Sequence, residues 1–196
     1  MIRDAFDAGV EPGGLHSRHE IKILICYMLS GVCEPMPREA VPEILCEHGM
    51  ANFFDVAAAM DELIGLNNLS ETEDGLVTVT DTGRQAAATL ETLVPYTLRQ
   101  RSVAAAVRLL ARRRNEKENH VTIDATDSGY TVTCTIGDLE HPMLTTSLLV
   151  GDELQAKLIR DRFLDDPLLL YRSTVAVLSG EADITTDKKQ IVIDLT

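Results

Sequence analysis

Zinc accepts thiolate and imidazole ligands in tetrahedral sets of four. The first 50 residues of this chain offer Cys33, Cys46-x-His48, and His16 or His19 upstream. Their spacing matches no zinc-finger pattern, and buried cysteine ordinarily behaves as a small hydrophobe, so no metal site is expected. Nucleophilic catalysis needs a serine or cysteine with a histidine base in reach and a stabiliser for the developing charge. The 196 residues include five histidines, none beside a marked turn, and no G-x-S-x-G elbow. Gly13-Gly14 does not stand between a strand and a helix, as a phosphate-cradling loop requires. The residues predict a protein that is not an enzyme, with no catalytic residues and no cofactor.

Charge is the chemistry that remains. The net charge is −13, unevenly spread: residues 1–80 hold 4 basic and 14 acidic side chains, residues 81–118 hold 8 and 4, and residues 119–196 hold 6 and 13. In the one basic segment, Arg101, Arg108 and Arg112 fall about 140–180° around a helical wheel from Val103, at about 100° per residue. Such a ridge is either a solvated face, its arginines paired with the chain's own acids, or a contact for nucleic acid or an acidic partner. Arg38 and Arg84 are the other candidates for phosphate contact. No lysine or arginine lies between them.

The elements that would position these residues begin with a helix over 19–31, where Ile21, Leu24, Ile25, Met28 and Leu29 form an apolar stripe closed by Gly31. A short helix follows, opened by Pro42 and closed by Gly49. Asn52 caps a third, with Phe53, Val56, Ala57, Met60, Leu63 and Ile64 inward and Asn52, Asp55, Ala58, Ala59 and Glu62 on the outer face. Leu69 and Leu76-Val77-x-Val79 flank an Asp-Gly turn, the signature of a hairpin. Three helices and a hairpin are the parts of a winged helix.

A helix after Gly83 is stopped by Pro95. Thr97 and Gln100 are spaced as a capping box for a long helix toward Asn115, with Val103, Ala106, Val107 and Leu110 buried. From His120 the period becomes two: Val121, Ile123 and Ala125 alternate with polar residues, as do Val132, Cys134 and Ile136, around a turn at Asp127–Gly129. A third strand over 143–150, a helix capped by Asp152, a helix opened by Pro167 and a tail hairpin turning at Asp187 and Lys188 complete the pattern. The expected fold is α+β: an N-terminal winged helix-turn-helix, a long helix, and a C-terminal antiparallel sheet covered by helices. The expected boundaries are an arm over 1–18, the winged helix over 19–95, the connecting helix over 96–118 and the α+β domain over 119–196.

KILICYMLSG, MANFFDVAAAMDELIGL, VTVTDTGR and a β-β-β-α region ending near Leu170 and Tyr171 together resemble an uncharacterised winged-helix family of Gram-positive bacteria, described only as a domain of unknown function. By fold analogy the resemblance implies a transcriptional regulator; the tail after Gly180 has no counterpart in it. Winged helices that bind DNA lay the third helix in the major groove. Here that helix's outer face is acidic, as is the wing with Glu71, Glu73 and Asp74, and such a surface repels phosphate. The expectation is therefore a cytoplasmic homodimer acting in transcription regulation, with DNA binding possible but disfavoured by charge; the alternative is a protein-interaction adaptor that binds no DNA. From the acidic opening residues and the lack of an apolar run of about 18, neither a signal peptide nor a membrane helix is expected. The sheet's apolar face is expected simply to pack on the helices from Asp152 onward; were the second domain a sensor, its pocket would lie between them, with Cys134 and Tyr171 as polar groups. The sheet's threonine-rich face is open to solvent or paired with a second copy.

Overall fold

The first helix, α1 (Arg18–Val32), forms because its apolar residues recur at helical spacing, and it buries Ile21, Leu24, Ile25, Met28 and Leu29 together with Ile23 and Cys26. It runs past Gly31. A Cβ at Gly31 would come within 2.8 Å of Val103 Cγ2, so this glycine serves close packing and does not stop the helix. The left-handed residue that ends α1 is Cys33, at φ +60°, whose N–H reaches back to the Leu29 carbonyl.

These elements belong to a computed structural model that describes residues 10–187 and 190–195, with residues from 182 onward in backbone only. The chain divides into two compact units, Met1–Leu110 and Ala111–Thr196.

In unit 1, α1 is followed by β1 (Met36–Pro37), α2 (Ala40–Glu47), α3 (Phe53–Gly65), β2 (Leu69–Glu71), β3 (Leu76–Val79) and α4 (Asp81–Leu90). The hairpin turns where Gly75, at φ +73°, donates to the Thr72 carbonyl, a backbone shape that suits glycine. Its strand β3 also pairs with β1, Met36 opposite Val77, giving the sheet order β1-β3-β2. The two residues of β1 lie among prolines, too short a run for a period of two to be visible. Asn52 caps α3 by accepting from Phe54 N at 2.9 Å, and Thr80 caps α4 by accepting from Gly83 N at 3.2 Å.

The α3 face is rotated from the expected one. Val56, Ala59, Met60 and Leu63 are its buried residues, Asn52 is also buried, and Phe53 is exposed. Ala59 and Asn52 therefore do not belong to an outer face. An alanine reads equally well on either side of a helical wheel, and here Ala59 is in the core while the two phenylalanines point outward.

The long helix α5 (Tyr96–Glu118) carries the boundary between the units. It begins one residue before Thr97, with Leu98 N and Arg99 N donating to the Pro95 carbonyl, so Thr97 lies inside the first turn and is not a cap. Its buried residues are Leu98, Ser102, Ala105 and Ala106, whereas Val107 is exposed. Small side chains take the inner face, and the Ser102 hydroxyl is satisfied by the Arg99 carbonyl at 2.9 Å.

Unit 2 holds β4 (Asn119–Thr126), β5 (Gly129–Ile136) and β6 (Leu144–Val150) in the antiparallel order β4-β5-β6, then α6 (Glu153–Asp165) and α7 (Pro167–Ser179). Asp152 caps α6 through Gln155 N at 2.8 Å, and Asp166 caps α7 through Leu169 N at 3.1 Å. Val132, Cys134 and Ile136 are buried against Ala156, Phe163 and Leu164, which is the inward alternation expected of β5. The tail forms a separate antiparallel pair, β7 (Ala182–Asp187) and β8 (Gln190–Leu195); the expected turn residue Lys188 lies outside the described residues.

Candidate functional site

The five arginines nominated for phosphate contact meet different fates. Arg38 joins the third helix to the hairpin, pairing with Asp61 on α3 and with Glu71 Oε2 on β2 at 2.5 Å. Arg84, in the first turn of α4, donates to the Val79 carbonyl at 2.7 Å and pairs with Asp81 at 2.6 Å. Arg101 reaches the His48 carbonyl at 3.0 Å and Glu11 at 3.6 Å. Arg112 is the most engaged, with Glu116 at 2.8 Å, Asp165 at 2.8 Å, Asp161 at 3.2 Å and the Asp161 carbonyl at 2.5 Å. Arg108 alone of the five is exposed without an ion pair among the described residues. The expected ridge thus becomes a set of internal clamps with one open cation.

The outer face of α3 is acidic and aromatic. Asp55 and Glu62 keep their expected outward positions and are met from α1: Arg18 lies 3.5 Å from Asp55 and 3.1 Å from Glu62, and Lys22 also pairs with Glu62. Hydrogen bonds from Lys22, then from Arg18, hold the Glu62 carboxyl below the usual carboxylate range. At the start of α3, Phe53 and Phe54 are 52% and 75% exposed and meet edge to face, with ring centroids 5.8 Å apart. Phe53 was expected inward because a large aromatic side chain at a helix start reads as core by hydropathy.

A further cation escaped notice in the sequence. Arg99 lies over the rings of Tyr27 and Tyr96, at 5.2 and 5.6 Å, and pairs with Glu91 at 3.0 Å. Beside it, Tyr27, Gly31, Arg84, Glu91, Gln100 and Val103 help line a cleft of about 340 Å³.

In unit 2, an open groove of about 480 Å³ lies between the sheet and the two helices, the place a sensing pocket would take, although a plain packed core was the expectation there. Cys134, Thr146 and Leu148 line it from the strands, Leu158 and Phe163 from α6, Leu169 and Ser173 from α7. Burial pushes the Cys134 thiol above its ordinary range, so it sits there as a neutral, weakly polar group. Tyr171 does not line the groove; it packs against the small core.

The cysteines and histidines weighed as metal ligands stay apart. Cys33 ends α1, Cys46 lies within α2 and His48 follows it. Among the described residues no group of three histidine, cysteine or acidic side chains could hold a metal ion. Burial raises the Cys26 thiol to about 11. Among the same residues no helix is long and apolar enough to cross a membrane.

These features define a two-unit α+β protein whose surface is built from ion-paired clamps and exposed apolar side chains. The chain belongs to the family described as Domain of unknown function (DUF4364), whose sequence profile matches residues 21–178. The segment after Gly180 lies outside that match. No curated protein and no solved structure is detectably similar to the chain.

Proposed function

We propose that this chain is a winged-helix protein without enzymatic activity that works in the cytoplasm as a protein-interaction adaptor and does not read DNA. The helix-strand-helix-helix-hairpin order of unit 1, with its third helix beside the hairpin, supports the winged-helix reading. One observation carries the adaptor reading: Arg38, the only cation between Lys22 and Arg84, is held by Asp61 and Glu71. Among the described residues α3 and the hairpin thus offer a phosphate backbone no open cation, and the exposed side chains of α3 are acids and the Phe53–Phe54 pair. Phosphate neutralisation supplies most nonspecific DNA affinity, whereas exposed aromatics are the usual anchors of protein interfaces. All four cysteines are free, which suits a reducing cytoplasm.

A gel-shift assay on genomic DNA fragments at low salt tests this. The expected result is no shift for the native chain, and a salt-sensitive shift for the Asp55→Lys, Glu62→Lys variant, in which repulsion is replaced by attraction. The second reading, a homodimeric DNA-binding regulator, draws on the open side chain of Arg108. It takes over if the native chain shifts DNA and Arg108→Ala lowers the slope of log affinity against log salt by about one unit.

A further inference from the structure

A strand at the edge of a sheet presents main-chain N–H and C=O groups in need of partners, and proteins protect such edges with charges, prolines, bulges or a covering element. Among the described residues, β6 is hydrogen-bonded to β5 alone. Its sequence, LTTSLLV, has no charge and no proline, and its register with β5 runs unbroken from Tyr130↔Val150 to Ile136↔Leu144, with no bulge. The other edge of the same sheet is protected in the ordinary way, since β4 carries Asp124 exposed along its length.

The side chains beside the open edge point to the same conclusion. Leu148 and Leu149 are exposed on the two faces of β6, Leu154 and Leu158 are exposed on α6, and the apolar groove of unit 2 is walled by Leu148 and Leu158. A sheet edge flanked by exposed leucines is a poor surface to leave in water.

We propose that β6 pairs antiparallel with β6 of a second copy of this chain, joining two three-stranded sheets into one of six and covering the leucines of β6 and α6. Three facts favour a second copy as the occupant. Two chains of net charge −13 repel over most of their surfaces and meet most easily along an element without charge. Antiparallel self-pairing centred on Ser147 sets Leu144 opposite Val150, Thr145 opposite Leu149 and Thr146 opposite Leu148, so every opposed pair is uncharged and all but the central serine pair contain an aliphatic side chain. The two-fold also closes the interface, so that one pairing uses up both open edges and no filament grows.

Sedimentation velocity on the full chain at micromolar concentration tests the proposal. The native chain should sediment as a dimer. The Ser147→Lys, Leu149→Lys variant puts like charges across the seam and should raise the dissociation constant at least about tenfold. Asp124→Lys, on the other edge, should leave the dimer intact. Circular dichroism checks that each variant is folded. Hydrogen exchange on the unaltered chain needs no variant: amides of β6 should slow as concentration rises through the dimer range while those of β4 do not. A native chain that stays monomeric overturns the proposal, as does a dimer indifferent to the two lysines, or β6 amides that ignore concentration.

Discussion

Unit 1 and unit 2 solve the problem of burial differently. The largest fully buried side chains, among them Ile21, Leu24, Ile25, Met28, Leu45 and Met60, all belong to unit 1, where α1 is wrapped by α3 and α4. Among the described residues of unit 2 the buried apolar cluster is Val132, Cys134, Ile136, Val150, Ala156, Phe163 and Leu164, while Leu148, Leu149, Leu154, Leu158, Leu168 and Leu169 are exposed. Within that part of the unit the buried cluster is smaller than the one around α1. Unit 1 therefore rests on its own packing, whereas unit 2 leans on ion pairs and on whatever covers its leucines.

The strongest way to break this contrast is to cut into the closed core. Leu24→Ala removes a fully buried side chain from the middle of α1, and such truncations cost about 2–5 kcal/mol. Denaturant unfolding followed by hydrogen exchange should show that loss in the amides of α1 and α3. A loss spread evenly over both units would mean that the two are not separately stabilised.

A smaller effect is expected from Arg112→Ala in unit 2. The Arg112 side chain is 21% exposed and pairs with Glu116 on its own helix and with Asp161 and Asp165 on α6. Charged hydrogen bonds that are partly solvated support a loss of about 1–2 kcal/mol, read in the amides of α6. If the same measurement shows no change, the leucines and not the ion pairs hold unit 2.

The smallest effect is on acid stability. Burial works against the Asp161 charge, but hydrogen bonds and attraction from Arg160 and Arg112 outweigh it, leaving the carboxyl below its ordinary value. A carboxyl with a depressed folded pKa stabilises the fold above its unfolded pKa, and that support is lost as pH falls through the folded one. Unit 2 should therefore weaken as pH drops below about 4, and Asp161→Asn should flatten that part of the stability curve. An unchanged acid limb would show that Asp161 is not coupled to folding.

Much of the fold was legible because it rests on local rules. The stripe of α1, the Asp-Gly turn of the hairpin, the alternation in β5, the caps at Asn52 and Asp152 and the helix start at Pro167 each follow from a few neighbouring residues. The candidate site was less legible. Ala59 and Val107 exchanged sides with their expected neighbours because small and β-branched residues are tolerated on either face of a helix.

The sequence by itself determined most of the helices and strands and how acidic the surface around α3 is, because periodicity, capping and charge are properties of short stretches of chain; it did not show β1 or the starts of α2 and α5, at Ala40 and Tyr96 where Pro42 and Thr97 were expected. Only the tertiary structure decided what the cations do. Arg38 meets Glu71 across 33 positions and Arg112 meets Asp165 across 53, and an ion pair depends on distance in space, which separation along the chain does not predict. The same holds for β6: its lack of charge is written in LTTSLLV, but that it lies at an edge, with no strand beyond it among the described residues, follows from the order β4-β5-β6, a matter of which strands find each other.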